Sequence, residues 1–172
     1  MDGIKVYDNF LEPSVLHEIN EYTFKQSNKP SWNTSHRWSN DIKRFTAPIV
    51  SLDLPKDLAL LIQDRFNKIK YKRKKFKINT LMFYMWPPNS YIGWHDDTCD
   101  FGASVYLNKE WNIEHGGIFL YKDKKDIKGV SPVYNRCVIN VEKTMHTVSM
   151  ITPDAPLRKS LQIFGEESKG NK

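Results

Sequence analysis

Residues 83–97 read FYMWPPNSYIGWHDD, and residues 144–150 read TMHTVSM. The first stretch passes from an aromatic segment through a Pro-Pro-Asn-Ser turn into Tyr91-Ile92-Gly93-Trp94-His95-Asp96-Asp97. Successive side chains on a strand point to opposite faces, so residues two apart share one. Tyr91, Gly93, His95 and Asp97 are therefore expected on one side, with Asp96 turned away. His95 and Asp97 can clamp one ion together, and His146 offers a third donor from far along the chain.

Two imidazoles and one carboxylate make the facial donor set that holds non-haem Fe(II) and leaves coordination positions open. The segment after His146, TMHTVSMITPDAPLRKSLQIFG, reads as two strands joined by turn formers at Thr152 to Pro156. A hairpin centred near Asp154 sets His146 across from Gln162 and Met150 across from Arg158. It puts His146, Arg158 and Ser160 on one face, opposite the apolar Leu157, Leu161 and Ile163. Arg158 then lies about four residues along the ladder from His146, roughly 13 Å at the backbone. A guanidinium arm and a five-carbon diacid held at the metal could span that gap. Arg offers a planar donor fork suited to a carboxylate, where Lys offers a point charge.

With these stretches in place, the C-terminal half resembles the 2-oxoglutarate and Fe(II)-dependent oxygenases, and within them the prolyl 4-hydroxylase-like branch. The likeness rests on FYMWPPNSYIGWHDD, SVYLNKEW, GGIFLY, NRCVINVEKTMHTVSMIT and RKSLQIFG, in that order over residues 79–165. The resemblance implies that His95, Asp97 and His146 bind Fe(II). It implies that Arg158, helped by Ser160, pairs with the distal carboxylate of 2-oxoglutarate, while the other carboxylate and the ketone chelate the metal. Tyr84 is placed like a residue that bonds the same distal carboxylate, and Tyr91 competes for that role because the segment before His95 differs in length from animal enzymes. The implied reaction is hydroxylation of a substrate C–H bond by O2, with 2-oxoglutarate decarboxylated to succinate and CO2 and ascorbate admitted as a reductant. A peptidyl proline is the leading substrate by resemblance, with other protein side chains and small molecules open. The AlkB-type demethylases carry a second Arg six residues after the first, where this chain has Phe164. JmjC-type enzymes use Lys where it has Arg158.

The implied fold is mainly β with flanking α: a double-stranded β-helix, or cupin-like jelly roll, with N-terminal helices. Core strands are expected at 77–86, 90–96, 102–108, 116–122, 130–134, 136–141, 144–151 and 157–165. At 172 residues the length suits one domain, with a barrel over 77–165, helical support over 1–76 and a flexible tail at 166–172. Helices are expected near Glu12–Phe24, through Val15, Leu16, Ile19 and Phe24, and over Leu54–Tyr71, through Leu58, Leu60, Leu61, Ile62 and Phe66. His17 reads as a helix-surface residue, and His36 and His115 have no second ligand at metal spacing. Two cysteines, Cys99 and Cys137, give no disulfide framework. A charged N-terminus and the lack of a long apolar run set a cytoplasmic expectation with no membrane partner.

Two regions carry other readings. The polar stretch 29–45 holds Trp32 and Trp38, which suits a substrate-side flap or an ordinary loop pinned to the core. Lys68 to Lys77 holds seven positive residues, more than the whole net charge of +6. Such a stripe can follow a phosphate backbone, giving a nucleic-acid-binding or nucleic-acid-modifying alternative, or be a solvated face. A cupin-like metal-storing or structural protein is the third class, and it would be indifferent to 2-oxoglutarate.

Overall fold

In chain order the elements are β1 (Ile4–Tyr7), α1 (Pro13–Lys25), β2 (Asn33–Thr34), β3 (Val50–Asp53), α2 (Lys56–Asn67), β4 (Lys74–Trp86), β5 (Ile92–His95), β6 (Phe101–Tyr106), β7 (Phe119–Asp123), β8 (Asp126–Val130), β9 (Cys137–Val141), β10 (His146–Val148) and β11 (Arg158–Lys169). They are seen in a computed structural model that describes residues 3–27, 33–34, 47, 49–69, 71 and 74–169. The expected flap, with Trp32, His36 and Trp38, lies outside the described residues except for 33–34, as do Lys70, Lys72 and Arg73 of the basic run.

The strands form a seven-stranded sheet, β1-β9-β6-β11-β4-β3-β2, and a four-stranded sheet, β5-β10-β7-β8. Every pairing among the described strands is antiparallel. This is the two-sheet jelly roll expected from the sequence, mostly β with two α-helices among the described residues. The N-terminal part does more than support it, since β1, β2 and β3 add strands to both ends of the large sheet.

The β4–β11 ladder is the spine of the large sheet, and it runs from Lys74 opposite Lys169 to Trp86 opposite Arg158. Leu81 and Phe83 of β4 and Leu161 and Ile163 of β11 join a core with Val15, Leu16 and Ile19 of α1 and Leu58, Ile62 and Phe66 of α2. Each such fully buried side chain contributes roughly 1.5–3 kcal/mol, so this face holds the sheet rigid. Met82, Tyr84 and Trp86 alternate to the other face. A register shift at Phe164/Gly165 pairs Phe164 with Thr80 and Gly165 with Ile78, leaving Asn79 unpaired as a bulge. The bulge swaps the faces of β4, so that Phe76 below it packs with the core and both Asn79 and Thr80 turn to the cavity.

Pro13 opens α1 at a position where its missing N–H costs nothing. Asp57 in the first turn and Arg65 in the last suit the dipole of α2. Phe24, Leu60 and Leu61, expected along the buried stripes, instead face outward, Phe24 at 77% exposure. Leu157, expected beside Leu161 and Ile163, is exposed as well, because it precedes β11. His17 is exposed on α1 as expected. No helix among the described residues is long and apolar enough to cross a membrane.

Three further expectations are corrected. The strand expected at 130–134 lies at Asp126–Val130, paired with β7 through a two-residue turn in which Lys124 has φ 56°. Pro132 cannot donate to a ladder, which moves the strand upstream of it. Residues 166–169 are no tail: they pair with β4 down to Lys74. Last, His146 and Arg158 do not share a hairpin. Both edges of β10 are taken, by β5 and β7, so the Pro-rich turn carries the chain across to the other sheet, and His146 faces Arg158's sheet.

Candidate metal and cosubstrate site

His95 and His146 are directly opposed residues of β5 and β10. Their rings lie 4.2 Å apart between centroids. Asp97 sits just past the end of β5, with one carboxylate oxygen 3.9 Å from His95 Nε2 and the other 3.8 Å from His146 Nε2. One donor atom of each residue falls within 4.8 Å of the others, a group that could hold a metal ion. Asp96 is exposed and outside the group. His115 also stands apart, edge-on to Trp111 in a short 3-10 turn.

Backbone carbonyls fix both imidazoles. His95 Nδ1 donates to Gly93 O at 2.8 Å, and His146 Nδ1 donates to Thr144 O at 2.9 Å. A carbonyl can only accept, so the proton of His95 sits on Nδ1; His146 Nδ1 meets both the Thr144 carbonyl and, at 3.1 Å, Asn140 Nδ2, and the Nε2 atoms of both rings lie on the side of Asp97. Asn140 holds the Thr144 turn from both sides, donating to its carbonyl at 3.0 Å and accepting from its N–H at 3.1 Å. Phe119 stacks on His146 at 5.0 Å. Burial, and then the charge of His146, lower the pKa of His95, which favours the neutral ring that a metal requires.

The three residues open on a cavity of ≈ 730 Å³ between the sheets. Tyr84, Trp86, Ile92 and Val148 line one end of it; Thr80, Thr98, Asp100, Phe164 and Glu166 line the other. Beyond Trp86 lies Arg158, 1% exposed, its guanidinium 5.0 Å from the Trp86 ring centre and 4.9 Å from that of Tyr106. Burial pulls its pKa down and pushes that of Tyr106 up. Arg158 Nε and Nη1 and the Tyr106 hydroxyl are buried without a well-formed hydrogen bond among the described residues, although the guanidinium and the hydroxyl are near enough that each offsets part of the other's shift. Ser160 Oγ accepts from Trp86 Nε1 at 3.1 Å and from Gln162 Nε2 at 3.2 Å, so its own proton is left to donate. Buried donors of this kind cost free energy until an acceptor arrives, and a carboxylate is the acceptor that fits a guanidinium flanked by two hydroxyls.

Of the two tyrosines named from sequence, Tyr84 is buried on the cavity wall opposite Ser160, and Tyr91 is 39% exposed and off the wall. Tyr106, Trp86 and Asn140 were not singled out from sequence. Tyr106 has the one usable signal, a Tyr at the end of a strand in SVYLN, but its meeting with Arg158 depends on β6 lying beside β11. Two glycines also went unread as site residues. A Cβ on Gly117, whose φ is 66°, would come within 2.8 Å of Arg158 Cδ, and one on Gly102 would overlap the Asp97 carboxylate. Cys99 lines the cavity, and burial, then the charge of Asp97, raise its thiol pKa to about 11, which keeps it protonated.

Neither a protein-family model nor a curated protein matches the sequence. Solved structures do match in fold. A prolyl hydroxylase from Trichoplax adhaerens, in complex with a hypoxia inducible factor oxygen degradation domain peptide, aligns with a TM-score of 0.73 over 96% of this chain and 84% of its own, at 14% identity. A Pseudomonas putida prolyl-4-hydroxylase aligns at 0.67 over 96% and 93%, with 17% identity. HygX from Streptomyces hygroscopicus, with nickel, 2-oxoglutarate and hygromycin B bound, aligns at 0.65 over 96% and 83%, with 11% identity. The chain thus has the double-stranded β-helix fold of the 2-oxoglutarate and Fe(II) oxygenases, prolyl hydroxylases among them.

Proposed function

We propose that this chain is an Fe(II)- and 2-oxoglutarate-dependent dioxygenase that hydroxylates a C–H bond of its substrate. The observation that carries the reading is the presence of two complementary sets on facing sheets, one lining the cavity and the other packed against Trp86 of its wall. One is a His95–Asp97–His146 group whose donor atoms lie within 4.8 Å of one another; the other is a buried Arg158 with two unmet donors on the facing sheet. A metal-storing protein needs the first set and has no use for the second.

In this reading His95, Asp97 and His146 hold Fe(II), and Arg158, Ser160 and Tyr106 take the distal carboxylate of 2-oxoglutarate, with Tyr84 on the adjoining wall. The bound metal would supply O2 activation coupled to decarboxylation of 2-oxoglutarate. The protein's own part is to keep the His95 imidazole neutral and both rings oriented, to anchor the far carboxylate, and to hold the substrate at the remaining end of the cavity. That end is the bulge at Asn79 and Thr80 together with Thr98, Asp100, Phe164 and Glu166.

Peptidyl proline is the first substrate to test, since two of the structures alike in fold are prolyl hydroxylases, one with a peptide bound. A nucleic acid is a poorer fit. Besides Asp97, three carboxylates, Asp96, Asp100 and Glu166, line the cavity, and Lys74 of the basic run forms an ion pair with Glu167.

The test is to titrate 2-oxoglutarate into the Fe(II)-loaded protein without oxygen and follow the visible metal-to-ligand charge-transfer band. A saturable band that His146→Ala abolishes is the expected result, and proline-containing peptides with O2 admitted would then be assayed for succinate and hydroxylation. Iron binding with no band at any 2-oxoglutarate concentration would overturn the reading.

A further inference from the structure

Glycine is an unfavourable residue in the middle of a central strand, and where it occurs it often marks a place that something else approaches closely. Gly102 is such a residue. It lies within β6, paired with Phe164 of β11 on one side and Asn140 of β9 on the other. Its backbone does not need glycine, because the glycines with positive φ are Gly116 and Gly117. What it lacks is room: a Cβ built there would overlap Asp97 Oδ2 and stand 3.0 Å from Asp97 Cγ.

Asp97 follows the end of β5, two residues beyond His95, the last residue paired with β10. The vacant Cβ position of Gly102 is where that carboxylate lies, with its two oxygens turned to His95 and His146. We propose that Gly102 is a positioning residue: its missing side chain is the seat that lets Asp97 complete the metal-binding group. This rests on the function proposed above.

A side chain at 102 collides with the free end of Asp97 rather than with backbone. The collision is relieved by swinging the carboxylate aside, which costs the fold little and the metal site a ligand. Alanine is also the better strand residue. Gly102→Ala should therefore give a protein that melts no lower than wild type but binds divalent metal about tenfold or more weakly.

The experiment measures Ni(II) affinity by calorimetry and thermal stability by circular dichroism for wild type, Gly102→Ala, Asp97→Ala and the double variant. Ni(II) is chosen because two imidazoles alone still bind it measurably. If Gly102 acts through the carboxylate, adding Gly102→Ala to Asp97→Ala should change affinity by no more than about twofold. Wild-type affinity in Gly102→Ala overturns the proposal, and so does an equal loss in both backgrounds, which would mean a distorted strand. A Gly102→Ala chain that fails to fold overturns it too, because the strain would then lie in the sheet. Wild type that binds no metal sinks the function proposed above, and this inference with it; wild type that binds while Gly102→Ala binds equally sinks this inference alone.

Discussion

At the His95–His146 cluster each Nδ1 is tied to a backbone carbonyl, whereas behind Trp86 two guanidinium nitrogens of Arg158 and the Tyr106 hydroxyl are buried without a hydrogen-bond partner among the described residues. The first region belongs mainly to the small sheet, and its three candidate ligands face one another. The second belongs to the large sheet, held rigid by the helix-backed core, and is left unsatisfied. The difference teaches how each end would meet its ligand. A metal ion needs geometry fixed in advance, whereas an anchored anion is drawn in by donors that have lost water and gained nothing in return.

The sharpest break of the comparison is at the ordered end. Asp97→Ala should lower metal affinity by more than about 100-fold, beyond the range typical of losing a residue that only supports a ligand. Fe(II)-dependent turnover should vanish with it. Asp96→Ala should leave both within about twofold, since its exposed carboxylate lies outside the group. Calorimetry with Mn(II) on the two variants checks this, and the reverse ranking would show that the wrong carboxylate of the pair had been assigned.

At the unsatisfied end the expectation is smaller and has an unusual second half. Arg158→Met should weaken 2-oxoglutarate binding by about 2–5 kcal/mol, roughly 30-fold or more, and leave metal affinity intact. The free protein should melt nearly as before, within about 1 kcal/mol, because the substitution removes a desolvated and unpaired charge along with its contacts to Trp86 and Tyr106. Breaking an already satisfied buried ion pair would cost about 3–5 kcal/mol instead. A large drop in melting temperature would therefore mean that Arg158 is a structural residue whose partner has been overlooked.

The two ends also differ in how far they could be read from the chain. His95 and Asp97 are close in sequence, and a strand's alternation puts them on one face whatever the rest of the fold does. Arg158 and Ser160 share a face by the same rule. The rule says nothing about which strand lies alongside, and the hairpin expected between His146 and Arg158 failed there. Two prolines in a turn look the same whether the chain doubles back or crosses to another sheet; the outcome was decided by β5 and β7, which hold both edges of β10. The neighbours of Tyr106, Asn140 and Gly102 lie on strands far apart in sequence, so their contacts appear only once β6, β9 and β11 are side by side. The tail misled for a related reason, since Glu166 to Lys169 is polar in composition yet has a partner strand in β4.

The smallest effect separates the two ends most finely. Tyr106 is buried on the large sheet, and its hydroxyl has no hydrogen-bond partner among the described residues although Arg158 lies against its ring. A buried hydroxyl that is satisfied stabilises a protein, and its removal costs about 1 kcal/mol; one that is unsatisfied is a net cost. Tyr106→Phe should thus leave the free protein's melting temperature unchanged or raise it. Its affinity for 2-oxoglutarate should fall about tenfold, because the hydroxyl then has no charged acceptor to meet. The two shifts run in opposite directions, which no purely structural role for Tyr106 would produce. Melting curves with and without saturating 2-oxoglutarate measure both: the cosubstrate should raise the wild-type midpoint more than that of Tyr106→Phe. If the variant is less stable in both conditions by the same amount, the hydroxyl is already paired in the free protein, and the contrast between a finished metal end and a waiting carboxylate end fails at this residue.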